Sequence, residues 1–215
     1  KPSKMDVNVN NDSNKKGVLI AEPLERGFGL TLGNAIRRVL LSSLQGAAIT
    51  SVKIKGVVHE FSTIPGVKED LTDILLNLKS IAVKVHSPGL KKMYLKSTGS
   101  GELRAGNFET DSETEIMNPD QLIMTLDSNA DVEIEANVET GKGYVSAEVA
   151  EDEDKVIGEI KLDAMFSPVI RASYKIENSR VGQVTDYDKL VFEVETNGAI
   201  TPDDAIALAA RILQD

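Results

Sequence analysis

The residues able to do chemistry in this 215-residue chain are few and scattered. Cysteine is absent, which excludes disulfides, thiolate zinc sites and cysteine nucleophiles. The two histidines, His59 and His86, lie too far apart in sequence to suggest a metal site or an acid–base centre. His59 follows Val57-Val58 in a strand-like pattern and reads as structural. Ser100 sits in Gly99-Ser100-Gly101 without a strand-to-helix elbow or a histidine partner, so a hairpin tip is expected there. The run Glu151-Asp152-Glu153-Asp154 has the charge of a calcium loop. Counted from Asp152, however, the sixth position is Ile157, where the turn needs glycine, so a solvated charged loop is expected. No catalytic constellation, metal site or cofactor follows from these residues.

One further segment could do chemistry. Val18-Leu19-Ile20-Ala21 followed by Gly27-Phe28-Gly29 and a helix has the order strand, glycine-rich loop, helix that cradles a dinucleotide. The spacing fails, because the third glycine belongs at position 32, which is Leu32, and Gly33 comes one residue late. Glu22 and Glu25 would repel a pyrophosphate, and no Lys-Ser/Thr pair follows to make a P-loop. A nucleotide-binding enzyme using the Gly27–Gly33 loop is therefore the less favoured alternative function. A tight turn that lets Phe28 reach a neighbouring surface is the better reading.

The elements that must position these residues are mostly strands. Val52 and Ile54 alternate with lysines. Val132, Ile134, Ala136 and Val138 alternate with polar residues, as do Ile170, Ala172, Tyr174 and Ile176, and then Leu190, Phe192 and Val194. Such period-two patterns bury one face, as in antiparallel sheets. Turn residues punctuate them at Pro88-Gly89, Thr98 to Gly101, Asn118-Pro119, Gly141-Lys142-Gly143 and Asn197-Gly198. Three helices are expected. The first runs over about 31–44. The second follows Pro65-Gly66, with Val67, Leu71, Ile74, Leu75 and Leu78 at helical spacing and Glu69 and Asp70 in its first turn. The third is capped by Thr201, with Pro202 at its first position and Asp203 and Asp204 against its dipole. This order predicts an α+β fold rather than a doubly wound one.

The first of these helices has two faces. At 100° per residue, Leu32, Ala35, Ile36, Val39, Leu40 and Ser43 fall within about 140°, a core-facing stripe, whereas Leu41 points about 170° away beside Asn34, Arg37 and Arg38. Arginine is favoured at interfaces for its planar, permanently charged donors, so this face is either a solvated surface or a partner surface. Composition bounds the partners. There are 34 acidic against 24 basic residues, and the net charge of −10 disfavours broad DNA binding. No apolar run approaches the ~18 residues of a membrane span, and no signal peptide opens the chain. A soluble, cytoplasmic protein is expected. The start at Lys1, without a methionine, reads as trimmed.

The 22 residues from Glu22 to Ser43, EPLERGFGLTLGNAIRRVLLSS, closely resemble the amino-terminal domain of the bacterial RNA polymerase α subunit. Two more blocks agree: Gly56 to Lys79, with its Val58-His59-Glu60-Phe61-Ser62-Thr63 and Ile74-Leu75-Leu76-Asn77-Leu78-Lys79, and Thr185 to Ala210, with its Thr185-Asp186-Tyr187-Asp188-Lys189-Leu190. Gly141-Lys142-Gly143-Tyr144-Val145 and Asp163 to Val169 are also similar, although relatives often carry arginine where Lys142 stands.

The resemblance implies a discontinuous dimerisation domain of antiparallel sheet plus two long helices (1–45 with 169–215). A mostly β insert domain with one helix (46–168) interrupts it. It implies a homodimer with Phe28, Leu32, Ile36, Val39, Ile206 and Leu213 in or near its core. Binding of the β and β′ subunits is implied at Arg37, Arg38, Leu41, Asp73, Lys79 and Leu162, and activator contact at Glu151, Asp152, Glu153 and Asp154. The function implied is a non-catalytic scaffold that initiates assembly of DNA-directed RNA polymerase for transcription. The family continues into a carboxy-terminal DNA-binding domain, and because the sequence stops at Asp215 no direct DNA binding is expected of this fragment.

Overall fold

The computed structural model describes residues 4–9, 15–150 and 156–215. In chain order the elements are β1 (Lys4–Val9), β2 (Lys16–Leu24), α1 (Phe28–Ser42), β3 (Gln45–Ile54), α2 (Leu71–Lys79), β4 (Val83–Val85), β5 (Lys91–Thr98), β6 (Gly101–Arg104), β7 (Thr114–Ile116) and β8 (Leu122–Leu126). They continue as β9 (Asp131–Lys142), β10 (Tyr144–Val145), the four-residue turn α3 (Ala147–Ala150), β11 (Glu159–Lys161), β12 (Ala164–Met165), β13 (Val169–Val181), β14 (Val184–Thr196) and α4 (Pro202–Gln214). These elements form two compact units. One combines the chain up to Gln45 with Ser167–Asp215, and the other is Gly46–Phe166.

In the first unit an antiparallel sheet runs in the order β1-β2-β14-β13. Helix α1 lies on β13 and β14 and packs against α4. The two helices are 15 and 13 residues long, three to four turns each. They are thus of ordinary rather than exceptional length, a correction to the expectation of two long helices. Leu19, Ala21, Ile36, Leu40, Leu190, Phe192, Val194, Ala205, Ile206 and Ala209 lie at the centre of the core. Thr201 caps α4 as expected, its side chain accepting from the Asp204 N–H.

Two expectations fail in this unit, each for a local reason. Ile36 and Leu40 of the expected stripe are buried and Leu32 and Val39 pack half-buried beside them, but the core face also takes in Gly29 and Gly33 and is rotated away from Ala35. A Cβ on Gly33 would stand 2.7 Å from the Tyr174 ring, so the bare backbone here is what lets helix and sheet meet. Glycine carries no hydrophobic signal, which is why the apolar pattern misplaces the face. On β13, Ile170 is 62% exposed although the alternation puts it inside. A register shift between Val169 and Arg171 buries Val169 and turns Ile170 outward.

The second unit holds a six-stranded sheet in the order β5-β9-β3-β4-β7, with β11 also on β3, and the two small pairs β6-β8 and β10-β12. Alternation in β9 is obeyed throughout: Val132, Ile134, Ala136 and Val138 are all buried. The opposite face carries columns of alternating sign. Lys92 and Lys96 stand on β5, Asp131, Glu133 and Glu135 on β9, and Lys55 in the turn just after β3, with Lys92–Glu135 at 2.7 Å and Lys55–Asp131 at 2.9 Å. Such exposed cross-strand pairs are screened by solvent and add little to stability.

Helix α2 begins later than the spacing suggests. Val67 bridges Leu126, Asp70 is the cap residue, and the Glu69 carboxylate accepts from both the N–H and the hydroxyl of Thr125, at 2.6 and 2.7 Å. The segment before α2 is thereby tied to β8 and is not its first turn. His59 is exposed on a turn, not in a strand. Ser100 links β5 to β6, which belong to different sheets, so it is not a hairpin tip. Gly141 meets the Phe166 ring as Gly33 meets Tyr174, its added Cβ falling 2.8 Å from the ring.

Candidate functional site

The glycine loop before α1 is occupied by the chain itself. Gly27 has φ +90° and offers no capping side chain, so while the Phe28 amide donates to the Glu25 carbonyl at 2.9 Å, the amides beside it need a partner from elsewhere. Asp188 on β14 supplies one from 161 residues away: its Oδ2 accepts from Gly27 N–H at 2.9 Å and from Gly29 N–H at 3.1 Å. A carboxylate at that end also complements the helix dipole. Phe28, between the two glycines, is left 57% exposed.

The arginine face of α1 is partly committed to its own unit. Arg37 Nε donates to the Ala172 carbonyl of β13 at 3.2 Å, which fixes its stem along the sheet. Leu41 is half-buried and packs against the core of the first unit, so the leucine that looked stray on the wheel has an internal contact. Arg38 is exposed.

Of the residues expected near a homodimer core, Ile36 and Ile206 lie inside the core of their own protomer. Leu32 and Val39 are half-buried against it. Phe28 and Leu213 are exposed, and so are three residues not singled out from the sequence for this role: Leu30 on α1, and Leu208 and Ile212 on α4. Five large apolar side chains thus remain uncovered on two helices that pack against each other. Phe28 and Leu30 share α1, and Leu208, Ile212 and Leu213 share α4.

In the second unit Asp73, Leu76 and Lys79 are exposed at three-residue intervals along α2. Lys79 Nζ lies 3.3 Å from Asp163 Oδ2, both side chains about a third exposed. Leu162, expected to take part in β or β′ binding, is buried in the core of this unit, and its neighbour Asp163, in the link between β11 and β12, is half-buried. Asp163 Oδ1 accepts from Ala147 N–H at 2.7 Å. The Ala147 amide, with help from Lys79 and Tyr144, outweighs partial burial and holds the Asp163 carboxyl below its ordinary range. Partial desolvation, followed by the Asp163 charge, pushes the Tyr144 phenol up. Tyr144 was legible in the sequence only as part of a turn.

Glu151, Asp152, Glu153 and Asp154 lie outside the described residues. Among the described residues no three His, Asp or Glu gather to hold a metal ion, and no helix is long and apolar enough to cross a membrane. Two turns carry the most exposed apolar residues of the second unit, Phe61 at 83% and Ile157 at 91%. Residues 52–167, more than half of the chain, match the family described as RNA polymerase Rpb3/RpoA insert domain.

Proposed function

Because this chain belongs to the RNA polymerase subunits that carry the Rpb3/RpoA insert domain, we propose that it is the α-type assembly scaffold of a bacterial DNA-directed RNA polymerase. Membership of the family implies assembly with other polymerase subunits. In the reading we favour, two copies dimerise through α1 and α4, and the dimer recruits the β and β′ subunits in the cytoplasm. The large subunits carry the nucleotidyl-transfer chemistry, and this chain contributes no catalytic group.

The observation that supports this reading best is the uncovered apolar surface of Phe28, Leu30, Leu208, Ile212 and Leu213 on the packed α1–α4 pair. The chain itself offers nothing to cover it among the described residues, and a second copy would. Arg38, exposed on α1, is then the anchor for β, with Arg37 and Leu41 supporting it from the sheet side.

Native mass spectrometry of the chain co-expressed with a bacterial β subunit tests both interfaces together. Two copies of the chain with one β are expected. Arg38→Ala should leave the dimer intact and weaken β binding by about 2–5 kcal/mol, the range for a charge desolvated in an interface. A dimer whose β affinity is unchanged by Arg38→Ala would remove Arg38 from that role. A monomer would remove the α1–α4 interface.

A further inference from the structure

Asn197-Gly198, in the link from β14 to α4, is the one Asn-Gly pair in the chain. Such a pair carries a reaction of its own. Once the Gly198 amide gives its proton to hydroxide, its nitrogen can attack Asn197 Cγ. The bond from Cγ to the side-chain nitrogen then breaks, ammonia leaves with a proton taken from water, and the backbone closes into a five-membered imide. Water opens the imide at either carbonyl, leaving an aspartate or an isoaspartyl link whose main chain runs through the former side chain. Asparagine is a thermolabile residue, and glycine after it puts no side chain in the way of the ring.

The structure engages both groups that the reaction needs. Gly198 N–H donates to Thr196 Oγ1 at 3.3 Å, and Asn197 Oδ1 accepts from Ala199 N–H at 2.9 Å. Thr196 is fully buried, and its own hydroxyl proton goes to the Ile200 carbonyl at 2.7 Å. The amide proton that hydroxide must remove is therefore already donated, to an oxygen on a residue that solvent does not reach. The main chain is tied down beside the pair as well. Thr196 N–H donates to the Lys15 carbonyl at 2.8 Å and Asn197 N–H to the Pro168 carbonyl at 2.9 Å. Gly198 itself has φ +94°, which glycine adopts without strain. Ring closure has to release the Gly198 amide from Thr196 first.

We propose that Asn197-Gly198 is a latent site of backbone modification and that Thr196 is the positioning residue that guards it. The imide forms in chains whose link between β14 and α4 is open, before folding or during local unfolding, and forms slowly where the link is closed. An isoaspartyl product lengthens the main chain immediately before Thr201, the cap of α4, so a chain modified while open closes with that cap displaced. The inference stands apart from the assembly function and is tested without a partner subunit.

Peptide mass spectrometry of the full chain, held at mildly alkaline pH, reads the fraction of residue 197 converted from amide to carboxyl. Native wild type is expected to convert about tenfold more slowly, or slower still, than the same chain in guanidinium chloride. Equal rates overturn the proposal. Thr196→Val removes the hydroxyl and keeps the shape, so native conversion should rise about tenfold, one hydrogen bond expressed as an opening equilibrium. Thr196→Ser keeps the oxygen and should convert at close to the wild-type rate. Leu40→Ala weakens the core of the same unit from α1. If it speeds conversion as much as an equally destabilised Thr196→Val, the fold protects the pair through its overall stability and the guarding role of Thr196 is overturned. Should Thr196→Val fail to fold, hydrogen exchange at the Gly198 amide of the wild type decides instead. Exchange slower than that of exposed turn amides is expected, and exchange at the rate of a free amide overturns the proposal.

Discussion

Asp188 reaches across the first unit to finish a helix that its own loop leaves unfinished. Its carboxylate takes two amide protons at the start of α1, where the usual cap position is a glycine without a side chain. Asp188→Ala should destabilise the chain by about 1–2 kcal/mol, the combined scale of a lost cap and a lost dipole partner, read as a lower urea midpoint. Asp188→Asn should lose less, because its oxygen still accepts. The same occupancy gives the Gly27–Gly33 loop a structural role, and NAD or ATP should leave the melting temperature unmoved; a rise would reveal a site by linkage.

Acid should also be felt at single residues. Burial raises the Glu69 carboxyl, but the Thr125 N–H and hydroxyl outweigh it and leave it below its ordinary 4.5. Asp163 likewise lies below 3.8. A depressed carboxyl binds its proton less readily when folded than when unfolded, so its contribution is complete above the ordinary value and is lost as pH falls through the folded one. Chain stability should therefore decline as pH drops below about 4.5, and Glu69→Gln should flatten that decline in denaturation curves taken at successive pH values. Sequence patterns point to neither carboxylate's partner. Asp188 and Gly27 are brought together by strand pairing and Glu69 and Thr125 by a bridge, and both contacts exist only once distant segments meet.

At the scale of elements, α1 shows how a glycine can carry a packing face. Gly33→Ala gains about 1 kcal/mol of helix propensity yet drives a methyl into the Tyr174 ring. Overpacking of that kind costs about 1–3 kcal/mol, so a net loss of stability is expected. Combining it with Tyr174→Leu should recover part of the loss, as a thermal-denaturation double-mutant cycle would show. Most strands were legible because β9 alternates strictly and Leu190, Phe192 and Val194 mark the buried face of β14. The third helix was legible because Thr201, Pro202 and the two aspartates mark its start chemically. The face of α1, the exposure of Ile170 and the start of α2 were not. Glycine contacts, a bulge and a loop-to-strand bridge leave no period in the sequence.

For the whole molecule, the two units have separate cores with no residue in common. Leu40 and Leu78 are each fully buried, one in each core. Leu40→Ala and Leu78→Ala should each cost about 2–5 kcal/mol. Hydrogen exchange should show each loss confined to the amides of its own unit. A uniform loss of protection across both units would show that they unfold as one. Hydrophobic patterning reveals strands but not which core each belongs to, so the division of the chain came from resemblance over long blocks rather than from period or charge.

The closing of the sheet between β2 and β14 also sets an order in time. During synthesis β2 and α1 emerge early, but the strand that pairs with β2 and the aspartate that caps α1 follow only after the whole insert, 161 residues behind Gly27. At ordinary elongation speeds that is a wait on the order of ten seconds, long enough for the insert to fold on the ribosome first. The first unit, with its uncovered apolar helices, is thus completed last. An interrupted message leaves a finished insert joined to an unpaired β2, so competence to assemble would arrive only once β14 and α4 have been made.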